Sequence, residues 1–207
     1  MPNANSNELA RLPMAGSDFS WTFFATDDRL GHSLQRSNLE SPLIQSVDLK
    51  PELEENGPAS PVFQHLHEEH LPQGLALMGV GQWGKIHFSG VFMETSPGRI
   101  HCDIAARVRT AEPIALASTY TVARTSSDIV SADGSEILLN LNEPGQILRI
   151  VADKGSQLVM AEAGRSALRI QILPRVPEPR ETYPSATSSR TIPWSYTIEL
   201  VNSAKFV

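Results

Sequence analysis

A chain of 207 residues with 41% hydrophobic and 19% charged residues has the makeup of a folded protein, not a disordered one, and is long enough for one sizeable domain. Its net charge of −6 argues against a surface built to grip nucleic acid over most of its area. The single cysteine, Cys102, leaves no intrachain disulfide to form.

The acidic excess lies early. Residues 1–60 carry four Lys/Arg against nine Asp/Glu, and residues 99–207 carry twelve against eleven. The first seventeen residues are small and polar, with Pro13 and Gly16, and read as an extended N-terminal arm without a basic tract. MPNANSNELARLPMAG has neither the basic nor the apolar region of a signal peptide. No run reaches the roughly 18–20 apolar residues of a membrane span. The expected setting is reducing and cytosolic.

In FSWTFFA, Phe19, Trp21 and Phe23 alternate at period two, a strand signal. Residues 40–60 mix Pro, Gly and acids and read as loop with one short strand. WGKIHFSGVFME is strand-like, and SPG turns the chain. GRIHCDIAARVR puts Ile100, Cys102, Ile104, Ala106 and Val108 on one face and His101, Asp103, Arg107 and Arg109 on the other. Cys102 on that apolar face reads as a buried thiol. PIALASTYTVAR repeats the pattern with Ile114, Leu116, Ser118, Tyr120 and Val122. SEILLNL, QILRIVAD, SQLVMAEA and SALRIQIL follow, separated by turn signals roughly ten residues apart. Residues 174–190, with four prolines, read as an irregular excursion. IPWSYTIELV closes the chain with Trp194, Tyr196, Ile198 and Leu200 inward.

Eight to ten strands with long connections at 40–75 and 174–190 fit a two-sheet sandwich better than a barrel of tight hairpins. The expected fold is all-β, an eight-stranded antiparallel jelly-roll sandwich over residues 18–207, with an arm at 1–17 and one short helix.

Three motifs were candidates for chemistry. GVGQWG (79–84) matches G-x-G-x-x-G, but strand residues follow it where a dinucleotide site needs a helix. Its glycines read as close-packing positions. Ser, His and Asp are all present, without a nucleophile elbow. QHLHEEH (64–70) admits two geometries. As a strand it puts His65, His67 and Glu69 on one face, a metal-binding arrangement of the cupin kind. As a helix, Ser60 caps it, Pro61 takes the first position, and Pro72 follows its end. Histidines at i, i+2 and i+5 do not match the i, i+4 spacing of helical zinc sites. The helix signals are more numerous, so the expectation is a solvated helical face with no cofactor.

The order of features in residues 18–110 resembles the first strands of coat proteins of picorna-like viruses. Trp21, Gly31, Leu34 and Pro42 stand where that family has an aromatic strand, a "G-x-x-L" and a proline loop. Trp83, Gly84, Ile86, Phe88, Gly98 and Ile100 match its next two strands. RVRTAEP replaces the family's "P-P-G" beyond them. The size and the arm are similar to the small coat protein of secoviruses. The resemblance implies a non-enzymatic capsid subunit, assembling in the host cytoplasm into the icosahedral shell of a virion with copies of itself and a second coat protein. It implies weak contact with viral RNA, expected at Arg107 and Arg109, and no membrane partner. His65, His67 and His70 beside two carboxylates are expected to tune a subunit contact with pH. The alternative is a small-molecule-binding or cyclising β-barrel enzyme, cupin-like, with a metal at His65, His67 and Glu69.

Overall fold

The computed structural model describes residues 7–37, 39, 41–48, 57–110, 114–123, 128–141, 145–162, 167–175 and 189–202. These form fifteen β-strands and no helix. The first four are β1 (Glu8–Pro13), β2 (Phe19–Ala25), β3 (Leu30–Arg36) and β4 (Ile44–Ser46). The next four are β5 (His65–Leu71), β6 (Gly74–Trp83), β7 (Ile86–Ser96) and β8 (Arg99–Val108). Then come β9 (Ser118–Ala123), β10 (Asp128–Ala132), β11 (Glu136–Asn140) and β12 (Gln146–Ala152). The last are β13 (Ser156–Glu162), β14 (Ala167–Pro174) and β15 (Arg190–Asn202).

They make two antiparallel sheets. One has seven strands in the order β1-β2-β3-β4-β9-β14-β13, the other eight in the order β10-β11-β12-β15-β8-β7-β6-β5. The first eight strands are two meanders of four, one per sheet. After β8 the chain crosses to the seven-stranded sheet for β9, returns for β10–β12, crosses again for β13–β14 and ends with β15 in the eight-stranded sheet, with β14 between β9 and β13 and β15 between β8 and β12. Neither sheet closes on itself among the described strands, so the arrangement is a sandwich and not a barrel.

Strand alternation builds the core. Ile100, Cys102, Ile104, Ala106 and Val108 of β8 are buried, as their period of two requires. Their register partners Ile86, Phe88, Gly90 and Phe92 on β7, and Ile192, Trp194, Tyr196 and Ile198 on β15, share that inner face. The opposing sheet contributes Trp21, Phe23, Leu34, Ile44, Tyr120, Ile170 and Ile172. Each large side chain buried here stabilises the fold by about 1.5–3 kcal/mol.

Residues 61–64 carry the chain from one sheet to the other. The Leu30 N–H donates to the Phe63 carbonyl (2.7 Å), and the Gln64 N–H donates to the Val80 carbonyl (2.9 Å), so one short segment holds both sheets. The Phe63 ring lies over Gly79 and Gly90, which face each other in register. A Cβ on Gly79 would fall 2.8 Å from Phe63 Cδ1, and one on Gly90 2.7 Å from Phe63 Cζ. Of the glycines of GVGQWG, Gly79 makes room for this ring and Gly81 for the backbone of residues 62–64, the close packing expected of them, while Gly84 takes a positive φ of +53° in the turn to β7.

Three expectations are corrected. The eight-strand count becomes fifteen, because β1 stands where an arm was expected, β5 where a helix was expected, and β3, β6 and β10 where no strand was read, whereas β4 is the short strand expected within 40–60. The short helix is strand β5. A lone helix of ten or so residues is marginal in water, whereas Leu71-Pro72-Gln73-Gly74 turns this segment onto β6, with Gly74 at φ +135°, and pairs it along its whole length. Ser60 caps nothing: its hydroxyl donates to the Thr119 carbonyl (2.9 Å) and accepts from the Thr119 N–H (3.3 Å). Within the expected arm, residues 8–13 are sheet strand β1, paired with β2, and Met14 is buried. Residues 1–6, and 176–188 of the expected excursion, lie outside the described residues.

Candidate functional site

QHLHEEH lies at a sheet edge. Strand β5 places His65, His67 and Glu69 on the outer face, opposite Val80, Met78 and Ala76 of β6. Leu66, Glu68 and His70 fall on the inner side. Leu66 packs against the core, while Glu68 and His70 remain exposed where the strand runs past the opposing sheet. All three histidines and both glutamates are exposed, and none makes a side-chain hydrogen bond or ion pair with a described residue. The strand does bring His65, His67 and Glu69 to one face, as the metal alternative requires. Yet no group of three His, Cys, Asp or Glu side chains among the described residues is placed to hold a metal ion.

The outer face continues from β5 into an apolar strip. Val80 (49% exposed) and Val91 (37%) stand in the open, with Met78 and Met93 half-buried beside them. Val91 faces Met78 across β6–β7. At one end of this sheet the two arginines singled out in the sequence meet other cations. Arg107 faces His87 across β7–β8, and the Arg109 N–H donates to the carbonyl of Lys85 (3.2 Å). Arg107, Arg109 and Lys85 are exposed, and the Arg107 guanidinium donates to the Ser189 hydroxyl (3.2 Å). Lys85, His87, Arg107 and Arg109 thus form a small basic end on an acidic protein.

A second polar constellation is sealed inside. His32 Nε2 and the Tyr120 hydroxyl share a 2.8 Å hydrogen bond, and the Tyr120 hydroxyl bonds the hydroxyl of Tyr196. Tyr196 lies beside Ser118 and the Cys102 thiol. The Trp194 indole N–H donates to the Ser118 hydroxyl (2.9 Å). His32, Tyr120 and Ser118 come from one sheet, and Tyr196, Trp194 and Cys102 from the other, so the network bonds the two layers through the core. Burial holds the imidazole neutral, its pKa pushed down to about 3, and pushes both tyrosines and the Cys102 thiol well above their ordinary values. Buried networks of this kind fix one arrangement of the layers. Here the titratable groups are all in their neutral forms at ordinary pH and are closed off from solvent.

Tyr120 and Tyr196 were visible in the sequence as inward residues, but the network itself was not. Its one sequence signal is His32, which occupies the apolar alternation Leu30-His32-Leu34 of β3.

No protein-family model matches this chain, and no curated protein matches it.

Proposed function

We propose that this protein is a structural subunit that works by assembly, a coat protein that builds an icosahedral shell around viral RNA with copies of itself and a second coat protein. One observation carries the reading: polar chemistry is divided between a sealed interior and an outward face. The interior network bonds the layers to each other and offers no reactive group. The exposed groups, from the uncovered edge β5 across Met78, Val80 and Val91 to the basic end at Arg107 and Arg109, are the kind that meet other chains.

The winding of the later strands supports the jelly-roll form of this reading. In a jelly roll a long hairpin is rolled up, so that late strands enter between early ones. The pairs β8/β15 and β9/β14, with β12 and β13 as their other neighbours, follow that pattern. Strands β1–β4 and β5–β7 widen the two sheets beyond the eight strands β8–β15.

The full chain, alone and co-expressed with any second coat protein encoded beside it, is to be followed by sedimentation and negative-stain electron microscopy across pH, salt and added RNA. Shells or defined oligomers are the expected result. A protein that stays monomeric under all these conditions sinks the proposal.

A further inference from the structure

Strand β5 ends the eight-stranded sheet and, among the described residues, has β6 as its only sheet neighbour. Along an antiparallel edge, alternate N–H and C=O groups point away from the paired strand and remain open to another. Proteins commonly blunt such edges with Lys, Pro, a bulge or a very short strand. His65–Leu71 has no Lys, no Pro and no bulge: seven residues run in unbroken register against β6, and the only charges set against pairing are the carboxylates of Glu68 and Glu69.

We infer that β5 is a strand-addition site for a second copy of this chain, with the two β5 strands pairing antiparallel about a two-fold axis at Glu68. The inference deepens the assembly reading above and rests on it. An axis normal to the sheet keeps the outer faces of both copies continuous, so facing residues must share a face. Centring on Glu68, the middle of the strand, pairs all seven residues. His67 of each copy then faces Glu69 of the other on the outer face. Leu66 faces His70 and His65 faces Leu71. Glu68 faces its own equivalent, with His70 of the other copy diagonal to it. The two His67–Glu69 contacts match an imidazole to a carboxylate against a single Glu68–Glu68 repulsion, and this self-matching of the outer face selects a second copy over an unrelated strand. The contact is small, as one interface among several in an assembly can be.

The pairing is sensitive to pH because imidazole takes up its proton between about pH 8 and 5. No titratable group of β6 faces β5: the facing residues are Leu75, Ala76, Leu77, Met78, Gly79 and Val80. Strand β1, which packs beside β6, carries Glu8 and Arg11, and these pair with each other at 2.6 Å. Protonation of His67 and His70 turns neutral–anion contacts into ion pairs and offsets the Glu68–Glu68 repulsion, so association tightens as pH falls toward 5.

Cysteine cross-linking of the full chain reads the register directly, with the buried Cys102 as background. Under oxidation Glu68→Cys forms an interchain disulfide, Leu66→Cys or His70→Cys alone forms little, and an equal mixture of those two cross-links efficiently. Sedimentation gives association roughly tenfold tighter at pH 5.5 than at pH 8, from two cross-strand charge pairs per dimer. His67→Glu weakens it at low pH, and adding Glu69→His to that variant restores it. Equal cross-linking at all three positions, or no response to pH and to His67→Glu, overturns the inference. Disulfides formed only to another co-expressed chain would give the edge to a foreign strand and overturn the second-copy assignment. Shells that form without cross-linking at position 68 remove this contact but leave the subunit reading standing, whereas absence of any assembly removes both.

Discussion

The hydroxyls of Tyr120 and Tyr196 meet inside the sandwich, one contributed by each sheet. Tyr120 is the middle member, since its hydroxyl also bonds His32 Nε2 at 2.8 Å. Tyr120→Phe keeps the ring packing and leaves both neighbours short of a partner in a fully buried site. Orphaning a buried polar group costs about 1–3 kcal/mol. Tyr120→Phe is therefore expected to lower stability by about 2 kcal/mol, read as an earlier urea midpoint with unchanged slope. An unchanged midpoint would show that the hydroxyl chain does not stabilise the stacking of the layers.

The same network predicts how stability depends on pH. His32 has a folded-state pKa pushed down to about 3, against 6.5 for the free side chain. Between those values the unfolded chain binds the extra proton, so stability rises with pH. The contribution is complete above about pH 6.5, falls as the solution is acidified toward 3, and is level below that. The slope reaches about 1.4 kcal/mol per pH unit. Asp28 and Asp133, held below the ordinary carboxylate value by Arg29 and by the Ser135 N–H respectively, add their own loss only at lower pH. Unfolding free energies between pH 4.5 and 6.5 therefore isolate the histidine. Over that window His32→Leu is expected to flatten the slope by most of one proton, and equal slopes in the two proteins would contradict a neutral buried imidazole.

The sandwich was legible because β8 and β15 alternate cleanly between apolar and polar residues, and both faces came out as read. Strand β5 was not. Ser60, Pro61 and Pro72 are genuine helix punctuation, but its five charged or titratable residues in seven carry no apolar alternation to mark a half-buried strand. What decides its conformation is a partner, β6, reached through the turn at Gly74. Pairing with a distant segment is the information a local reading lacks. The candidate residues show the same divide. Arg107 was placed on the outer face from its own strand, whereas its neighbours Lys85 and His87 needed the β7–β8 register. His32 was hidden because a histidine beside Ser33, Gln35 and Arg36 in LGHSLQR looks like an ordinary surface position until the flanking Leu30 and Leu34 prove buried.

Phe63 and the glycines beneath it predict a coupled pair of substitutions. Gly79→Ala puts a methyl group within 2.8 Å of the Phe63 ring, closer than packed carbons approach. The ring bears on the segment that joins the sheets, so it cannot retreat freely. Overpacking of this kind costs about 1–3 kcal/mol. Phe63→Leu alone leaves a cavity and also destabilises. Combined, the two changes relieve each other, so the double variant is expected to be more stable than the sum of the single effects by about 1 kcal/mol or more. Gly134→Ala, where nothing lies within 4 Å of the new methyl, is the neutral control. Strict additivity of Gly79→Ala and Phe63→Leu would mean that the ring does not depend on the glycine.

Under the proposed coat-protein function, the basic end of the outer face is where single-stranded RNA is expected to bind. Arg107, Arg109 and Lys85 are exposed and adjacent, whereas Arg99 sits on the same strand at its other end, facing Glu199. Backbone contact releases counterions, so affinity falls with salt by about 0.7 logarithmic units per decade for each phosphate neutralised on a single strand. Arg107→Ala and Arg109→Ala are each expected to weaken binding of a short unstructured RNA uniformly across sequences and to reduce the salt slope by about that amount. Arg99→Ala should leave both unchanged. Fluorescence anisotropy between 50 and 200 mM salt, about the range over which such contacts lose most of their strength, measures both quantities. A salt slope insensitive to Arg107 and Arg109, or equally sensitive to Arg99, would mean that this cluster is not where the chain meets RNA.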